Sequence, residues 1–363
     1  MKILCVCLSA TIQRTIQFDF FSAAKVNRSQ KWREDASGKA LNAARVLNQL
    51  EPGCSVALCP VGNTNAERFM RLAANDSDLY ITPIYIEGNT RECWTVLDSN
   101  TKSTTELIAD EAQDLTHIAG AEAELKLLEF VRNYMASFDA LLFAGSRPAA
   151  WSKNICARIC EIAHKAGKLI FTDFRGEDLL TTLKTCTPNI IKINEEEFCQ
   201  TFCTSILREK ELVSEIAKKS AEFGNIIIVT RGSKSTLAAE NGKSYSCPVE
   251  KVTPLNTTAC GDSFSAGFLH SYLAQKDIEA ALKEGNHCGA LNAQLVLFTN
   301  HIECFLECIG KAILVVLCCG QLIDAIRNDV FHVEQCLCYI IGVKVHSAEH
   351  IFTDILLDIL TNK

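Results

Sequence analysis

The sequence is poor in the residues that break regular structure and shows no excess of basic charge. Only 7 prolines and 18 glycines occur in 363 positions, which excludes collagen and argues against a low-complexity or disordered chain. Lys and Arg together number 36 against 43 Asp and Glu, a formal net charge of -7. This acidic balance disfavours a nucleic-acid-coating protein but still allows a local basic site for an anionic metabolite. No uninterrupted apolar run approaches the roughly 18 residues of a membrane span. We therefore expect a cytoplasmic protein with neither a nucleic-acid nor a membrane partner.

Cysteine is abundant, with 19 copies, yet no two are spaced as a CxxC pair. No spacing completes a zinc pattern, and the chain is much longer than a typical disulfide-bonded secreted domain. Reduced thiols packed as small apolar side chains are the favoured interpretation. The apolar start at residues 3–10 resembles a short signal peptide. A first buried strand explains it better, because Arg14 follows soon and no cleavage site is evident.

Apolar runs alternate with helical patterns along most of the chain. We predict strands at 3–8, 54–61, 140–144, 169–173, 190–193 and 226–230, and helices at 40–50, 121–136, 151–166, 208–223 and 263–275. This order predicts an α/β fold with a mostly parallel central sheet and helices on both faces. Ligands then bind at the carboxyl ends of the strands. Polar strands near 10–35 and 82–106, including the runs at 81–86 and 93–97, predict a small appended sheet.

The end of the chain differs in composition from the rest. Residues 301–363 contain no proline and 6 of the 19 cysteines, and several stretches in this segment are apolar enough to pack. We expect one domain over residues 1–300, followed by a helical C-terminal segment that packs on it and has no assigned role.

The most informative segment is the loop at residues 256–262 together with the helix that follows it. Its small residues indicate an exposed turn, with the N–H groups of residues 259–262 facing outward at a positive helix end. That arrangement suits the charge on a transferred phosphoryl group, and Asp262 could accept a proton from an attacking hydroxyl. The residues equally allow a capped helix start in which Asp262 only satisfies backbone donors. Cys260 could alternatively be a reactive thiol, since a helix N-terminus favours thiolate.

Four segments in sequence order resemble the motifs of the PfkB/ribokinase family of carbohydrate kinases. Residues 256–268 resemble its DTxGAGDxFxxGF motif, 37–42 its GGKGxN motif, 192–197 its KPNxxE segment and 230–232 its T-x-G turn. The resemblance covers residues 3–300. It implies a ribokinase-like fold with a small β-rich lid and an ATP-dependent phosphotransferase that uses an alcohol acceptor. The segments at 25–28, 90–91, 104–106 and 145–148 are similar to the branch containing 1-phosphofructokinase and tagatose-6-phosphate kinase.

The resemblance also assigns roles to individual residues. The catalytic set comprises the base Asp262 and the anion-hole residues Gly261, Cys260 and Ala259. The nucleotide side comprises Lys192, Asn194, Thr230, Gly232 and Thr257, and Asn194 with Glu197 would organise Mg²⁺ largely through water. The substrate side comprises Gln13, Gly38, Lys39, Asn42 and Arg91. The implied acceptor is a ketohexose phosphate held by Lys39 and Arg91, and the lid is expected to support a homodimer.

Several positions depart from the family pattern. Gln13 replaces an aspartate that holds sugar hydroxyls, and Cys93 replaces an asparagine of the TRxN segment. Ala259 replaces a glycine, which costs on the order of 1 kcal/mol if that residue adopts a positive φ. Two alternatives therefore stay open. One is a kinase for an unphosphorylated sugar or nucleoside, and the other is a catalytically weak protein that binds a sugar phosphate or nucleotide.

Overall fold

Two β-sheets of unequal size organise the residues that the computed structural model describes, which are 1–108, 117–202, 205 and 208–295. The strands are β1 (Ile3–Val6), β2 (Thr11–Phe18), β3 (Lys31–Ser37), β4 (Ser55–Gly62), β5 (Ile81–Ile86), β6 (Arg91–Asp98), β7 (Ser103–Ile108), β8 (Ala140–Ala144), β9 (Leu169–Asp173), β10 (Ile190–Asn194), β11 (Ile226–Thr230), β12 (Thr236–Glu240) and β13 (Lys243–Cys247). The helices are α1 (Lys39–Leu50), α2 (Ala66–Ala74), α3 (His117–Tyr134), α4 (Ile155–Lys165), α5 (Gly176–Thr185), α6 (Glu195–Phe202), α7 (Glu209–Phe223), α8 (Cys260–Gln275) and α9 (Ile278–Ala293). The C-terminal segment expected at 301–363 lies outside the described residues.

The larger sheet has nine strands in the order β13-β12-β11-β10-β9-β8-β1-β4-β5. The strands from β11 to β5 run parallel, and β12 and β13 are antiparallel at one edge. Successive residues of β1 point to opposite faces, so Ile3 and Cys5 join one buried cluster while Leu4 and Val6 join the other. Helices α1 and α8 supply the first cluster, and α3, α4 and α7 supply the second. The predicted α/β fold with helices on both faces is confirmed.

The smaller sheet has four strands in the order β3-β2-β6-β7. β2 pairs antiparallel with β3 and parallel with β6, so Gln13 lies between Asp35 and Cys93. The placement of residues 81–86 in this sheet was wrong, because β5 pairs with β4 at the edge of the larger sheet. The residues of β5 are typical of a half-buried strand, but they do not indicate which of the two sheets the strand joins.

The cysteines and the lengths of the helices can also be compared with the expectations from the sequence. Every described cysteine is a free thiol, and all except the half-buried Cys260 are buried, as expected for thiols that pack as apolar side chains. None of the helices in the described ranges is long and apolar enough to cross a membrane.

Candidate active site

A buried carboxylate at the carboxyl end of β9 holds two lysines from different parts of the chain. The Oδ2 atom of Asp173 accepts from Lys192 Nζ at 2.7 Å, and its Oδ1 atom accepts from Lys39 Nζ at 3.0 Å. Lys192 lies on the neighbouring strand β10, whereas Lys39 is the first residue of α1. Ser265 Oγ also donates to Asp173 Oδ2, at 3.3 Å. Asp173 is therefore the centre of a charged cluster at the strand ends.

The charges in this cluster stabilise one another. Burial alone would raise the pKa of Asp173, but the positive charges and hydrogen bonds of Lys192 and Lys39 outweigh it and lower this pKa to about 2. The pKa of Lys39 is raised, chiefly by the charge of Asp173 and against the effect of burial. Asp173 was not among the site residues predicted from the sequence. Its position as the last residue of a predicted parallel strand was the available signal, since ligands bind at that edge.

Asp262 is buried in the first turn of α8, close to this cluster. Asn42 Nδ2 donates to Asp262 Oδ2 at 2.8 Å. Burial raises the pKa of Asp262 to about 6; the charge of Lys39 opposes that rise, and the charge of Asp173 adds to it. A carboxylate with this pKa is ionised at neutral pH yet more basic than an ordinary aspartate, which suits a general base.

The start of α1 fixes the side chain of Asn42. Its Oδ1 atom accepts from Ser37 Oγ at 2.9 Å and from Arg45 Nη1 at 3.2 Å, which leaves Nδ2 to face Asp262. Gly38, just before the helix, has a φ of 140°, and a Cβ there would lie 3.0 Å from Cys7 Sγ. A glycine at position 38 therefore lets α1 begin close to β1, with Lys39 and Asn42 in its first turn.

The loop before α8 differs in two ways from the expected anion hole. The N–H of Cys260 donates to Thr257 O at 3.4 Å and that of Asp262 to Ala259 O at 3.1 Å, so neither faces outward as predicted. In the described part of the chain, the N–H groups of Ala259 and Gly261 have no acceptor, which reduces the candidate anion hole from four donors to two. Ala259 caps the helix with a φ of 62°, the left-handed conformation that the sequence analysis identified as costly for alanine.

Gly261 allows a close approach between this loop and the lysine of β10. A Cβ at position 261 would lie 2.9 Å from Lys192 Nζ. The surroundings of Cys260 do not favour the alternative of a reactive thiolate. Burial raises the pKa of this thiol above its ordinary value, although Asn292 Nδ2 donates to its sulfur at 3.5 Å.

The residues predicted for the nucleotide side lie at the ends of β10 and β11. Asn194 and Thr230 are paired across these strands, and Gly232 follows in an exposed turn with a φ of 62°. Thr257 is also exposed, and its carbonyl oxygen accepts from the Cys260 N–H. Asn194 caps α6 reciprocally with Glu197: Glu197 N donates to Asn194 Oδ1 at 2.8 Å, and Asn194 N donates to Glu197 Oε2 at 3.0 Å.

The donor set fits a magnesium ion that shares its ligands with substrate. Among the described residues, no three His, Cys, Asp or Glu side chains form a group that could hold a metal. Glu197 is near enough for its charge to raise the pKa of Lys39, although its Oε1 atom also lies 3.8 Å from Arg175 Nε. Mg²⁺ is commonly held by one or two carboxylates, several waters and substrate phosphates, which this arrangement allows.

Two of the predicted substrate residues lie on the smaller sheet. Gln13 is buried on β2, and its Nε2 donates to Thr95 Oγ1 at 2.7 Å. Arg91 begins β6, and its Nη2 donates to Ser9 O at 3.4 Å. The structure thus brings Lys39, Asn42, Lys192 and Asp262 into one cluster and places Gln13 and Arg91 on the adjacent sheet.

These features are those of one class of enzyme. A parallel α/β sheet carries lysines, a basic buried carboxylate and a helix N-terminus at its strand ends, the groups needed to move a phosphoryl group onto a hydroxyl. The chain matches the model of the pfkB family carbohydrate kinases over residues 2–301, and it belongs to that family. It is therefore a sugar kinase, a phosphotransferase with an alcohol group as acceptor, as the motifs predicted.

Solved structures share this fold at low sequence identity. A possible 1-phosphofructokinase from Thermotoga maritima superposes with a TM-score of 0.73 at 19% identity, covering 82% of this chain and 94% of that one. Phosphofructokinase-2 from Escherichia coli in complex with fructose-6-phosphate gives 0.68 at 17% identity, covering 80% and 93%. The tetrameric inhibited form of the same enzyme gives 0.69 at 17% identity, covering 80% and 94%. These similarities agree with the ribokinase-like fold.

Proposed function

We propose that this kinase transfers the γ-phosphoryl group of ATP to a hydroxyl of a ketohexose phosphate such as fructose 1-phosphate, fructose 6-phosphate or tagatose 6-phosphate. The observation that carries the proposal is the buried Asp262, with a pKa raised to about 6, beside Lys39 and the Lys192–Asp173 pair. The similar structures named as phosphofructokinases, one of them holding fructose-6-phosphate, support this choice of acceptor.

Asp262 acts as the general base and takes the proton of the acceptor hydroxyl at its carboxylate. Lys192 and the N–H groups of Ala259 and Gly261 stabilise charge on the transferring group, because preorganised donors need no rearrangement during the reaction. Mg²⁺, when bound, neutralises charge on the ATP phosphates. Asn194 and Glu197 would hold that ion, and Thr230, Gly232 and Thr257 would border the nucleotide.

The acceptor lies between α1 and the smaller sheet. Lys39 and Arg91 bind its phosphate, while Gln13, Gly38 and Asn42 contact the sugar. The smaller sheet serves as the lid and as the contact surface of a homodimer. Residues 1–300 form the kinase domain, and the segment at 301–363 is an addition to it.

One observation favours a second candidate, an unphosphorylated sugar or nucleoside as acceptor. Lys39 Nζ is already paired with Asp173 Oδ1 at 3.0 Å, so a substrate phosphate would have to compete with that carboxylate. An acceptor without a phosphate avoids this competition.

A panel of acceptors tests the proposal. ADP release is measured with ATP and Mg²⁺ against the three ketohexose phosphates, the free sugars and nucleosides, for the wild type, Asp262→Asn and Asp19→Asn. Asp19 is an exposed aspartate on the β2–β3 hairpin and serves as the matched control. We expect turnover with a ketohexose phosphate and a kcat for Asp262→Asn lowered by about 10²- to 10⁴-fold.

Three outcomes would contradict parts of the proposal. Turnover with free sugars or nucleosides alone would support the second candidate. Ligand binding without turnover of any acceptor would point to a catalytically weak protein. Activity of Asp262→Asn within about tenfold of the wild type would exclude this residue as the base.

A further inference from the structure

The smaller sheet carries a buried acidic residue that the mechanism above does not use. Asp35 on β3 lies directly opposite Gln13 on the antiparallel strand β2. Residues opposite each other in an antiparallel pair place their side chains on the same face of the sheet. Asp35 therefore shares a face with the glutamine that stands where the family has its sugar-binding aspartate.

A first chain of hydrogen bonds connects this face to the candidate base. Ser37 lies two residues after Asp35 on β3, so its side chain is on the same face. Ser37 Oγ donates to Asn42 Oδ1 at 2.9 Å, and Asn42 Nδ2 donates to Asp262 Oδ2 at 2.8 Å. The end of β3 is thus joined to Asp262 through a single asparagine.

A second connection reaches the loop before α8. Thr95 Oγ1 accepts a hydrogen bond from the side-chain amide of Gln13, and Thr95 lies opposite Glu106 in the antiparallel pair of β6 and β7. Glu106 Oε1 accepts a hydrogen bond from Thr258 Oγ1 at 3.3 Å. Two contacts with separate parts of the active site therefore show that the face carrying Gln13 and Asp35 is turned towards the reacting groups.

One oxygen of the buried Asp35 carboxylate has no hydrogen-bond partner among the described residues. Its Oδ1 atom is paired with Arg33 Nη2, while Oδ2 has no hydrogen-bond partner in the described part of the chain, although only 6% of the residue is exposed. Thr15 Oγ1 on the same face is also buried without a partner there. Burial raises the pKa of Asp35 even though the positive charges of Arg33 and Arg45 oppose that rise. An unsatisfied carboxylate oxygen is costly to bury, and a hydroxyl donor would remove that cost.

We propose that Asp35 Oδ2 accepts a hydrogen bond from a hydroxyl group of the sugar acceptor. Asp35 supplies from β3 the carboxylate that Gln13 does not supply from β2. This role rests on the proposed function only in requiring an acceptor with sugar hydroxyls, and it holds for a phosphorylated or an unphosphorylated sugar.

The test compares acceptor binding in four proteins by calorimetry without nucleotide: the wild type, Asp35→Ala, Asp35→Asn and Glu34→Gln. Glu34 is the matched control, because it is the preceding carboxylate of β3 and its side chain lies on the opposite face. We expect Asp35→Ala to weaken binding of fructose 6-phosphate by about 10- to 100-fold and to leave ATP binding unchanged. Glu34→Gln should bind both ligands as the wild type does.

A series of monodeoxy sugar phosphates separates direct contact from a structural effect. One deoxy compound should bind the wild type about 10- to 100-fold more weakly than its parent and should bind Asp35→Ala no more weakly than the parent does. Asp35→Asn retains an oxygen for Arg33, so it keeps the proposal testable if the alanine variant does not fold. The proposal would be overturned if every deoxy compound lost the same factor in affinity, relative to its parent, in the wild type and in the variants. Unchanged fructose 6-phosphate binding by Asp35→Ala and Asp35→Asn would overturn it too.

The proposed function can fail independently of this inference. If the wild type phosphorylates only free sugars, the ketohexose-phosphate assignment fails, and the same comparison is made with that sugar and its deoxy derivatives. If one deoxy sugar binds the wild type more weakly than its parent but binds the Asp35 variants as well as its parent does, the contact with Asp35 is still supported. If that deoxy sugar binds the variants more weakly than its parent by the same factor as in the wild type, the contact is overturned.

Discussion

Asn42 donates a hydrogen bond from Nδ2 to Asp262 Oδ2 at 2.8 Å, joining the first turns of α1 and α8 across 220 positions of the chain. A donor to a carboxylate favours its ionised form, so this bond lowers the pKa of Asp262 against the burial that raises it. The basicity of the proposed catalytic carboxylate therefore depends on neighbours that can be changed one at a time.

Replacement of Asn42 by alanine should raise the pKa of Asp262. A hydrogen bond to a charged group contributes about 1.5 kcal/mol, which corresponds to a shift of about one pH unit. Activity requires the ionised carboxylate, so the acidic limb of the pH profile of kcat/KM should move to higher pH. Asn48→Ala, which removes another buried amide of α1, is the control and should not move the limb. An Asn42→Ala profile that coincides with that of the wild type would contradict the assignment of Asp262.

Asp173→Asn should move the acidic limb of the pH profile of kcat/KM to lower pH. The negative charge of Asp173 raises the pKa of Asp262, so removing that charge lowers it. The variant should also lose about 3–5 kcal/mol of unfolding free energy, because Lys39 and Lys192 lose their shared partner. The pH profile, recorded at a temperature where the variant is folded, tests the first effect and urea unfolding tests the second.

The stability effect of Asp173 has a defined pH dependence. The pKa of this group is lowered from 3.8 to about 2 in the folded protein, so its stabilising contribution is fully present above pH 3.8 and is lost as the pH falls through about 2. The difference in unfolding free energy between the wild type and Asp173→Asn should shrink over that range. A constant difference would show that the charge of Asp173 is not responsible.

Gly261→Ala should lower kcat with little effect on folding. The new Cβ would lie 2.9 Å from Lys192 Nζ, the far end of a long side chain, so a small shift of this amine relieves the contact while the backbone stays in place. We expect kcat to fall about 10-fold or more, because a charged donor is displaced from the transferring group, with a smaller change in the acceptor KM. Equal kcat values for the variant and the wild type would show that Lys192 does not stabilise charge on the transferring group.

Ala259→Gly should leave the protein as stable as the wild type or make it more stable by up to about 1 kcal/mol. Alanine at a φ of 62° is strained by its Cβ, and glycine relieves that strain at the cost of greater freedom in the unfolded chain. Ala121→Gly at an exposed position inside α3 is the matched control, and it should cost about 1 kcal/mol. Thermal unfolding measures the stability of the two variants, and equal destabilisation by Ala259→Gly and Ala121→Gly would contradict the prediction.

The strands of the larger sheet could be predicted closely from the sequence. Residues 140–144, 169–173 and 226–230 have the predicted bounds, because each is a short run of mainly apolar residues ended by a polar or glycine loop. The predicted start of α8 at residue 263 was three residues late, since the chain enters the helix through the strained Ala259. A helix start after a left-handed alanine has no clear signal in the sequence.

The candidate site could be predicted less completely than the fold. Asp262, Lys39, Lys192 and Asn42 were found because they belong to motifs, and the structure brings them together. Asp173 was missed because its contacts depend on strand order, which places it beside Lys192 from 19 positions away and Lys39 from 134. Asp35 was missed for a similar reason, because its position opposite Gln13 follows from the register of β2 and β3.

The pairing of two lysines with two aspartates at the strand ends has an effect beyond the reacting atoms. With Asp262 ionised, Lys39, Lys192, Asp173 and Asp262 sum to zero formal charge, in a chain whose net charge is -7. Such a cluster has almost no long-range field to draw an anion out of solution. Any electrostatic attraction of an anionic ligand towards this edge of the sheet would therefore come from charges outside the cluster, such as that of Arg91, and salt would screen it beyond a Debye length of about 8 Å.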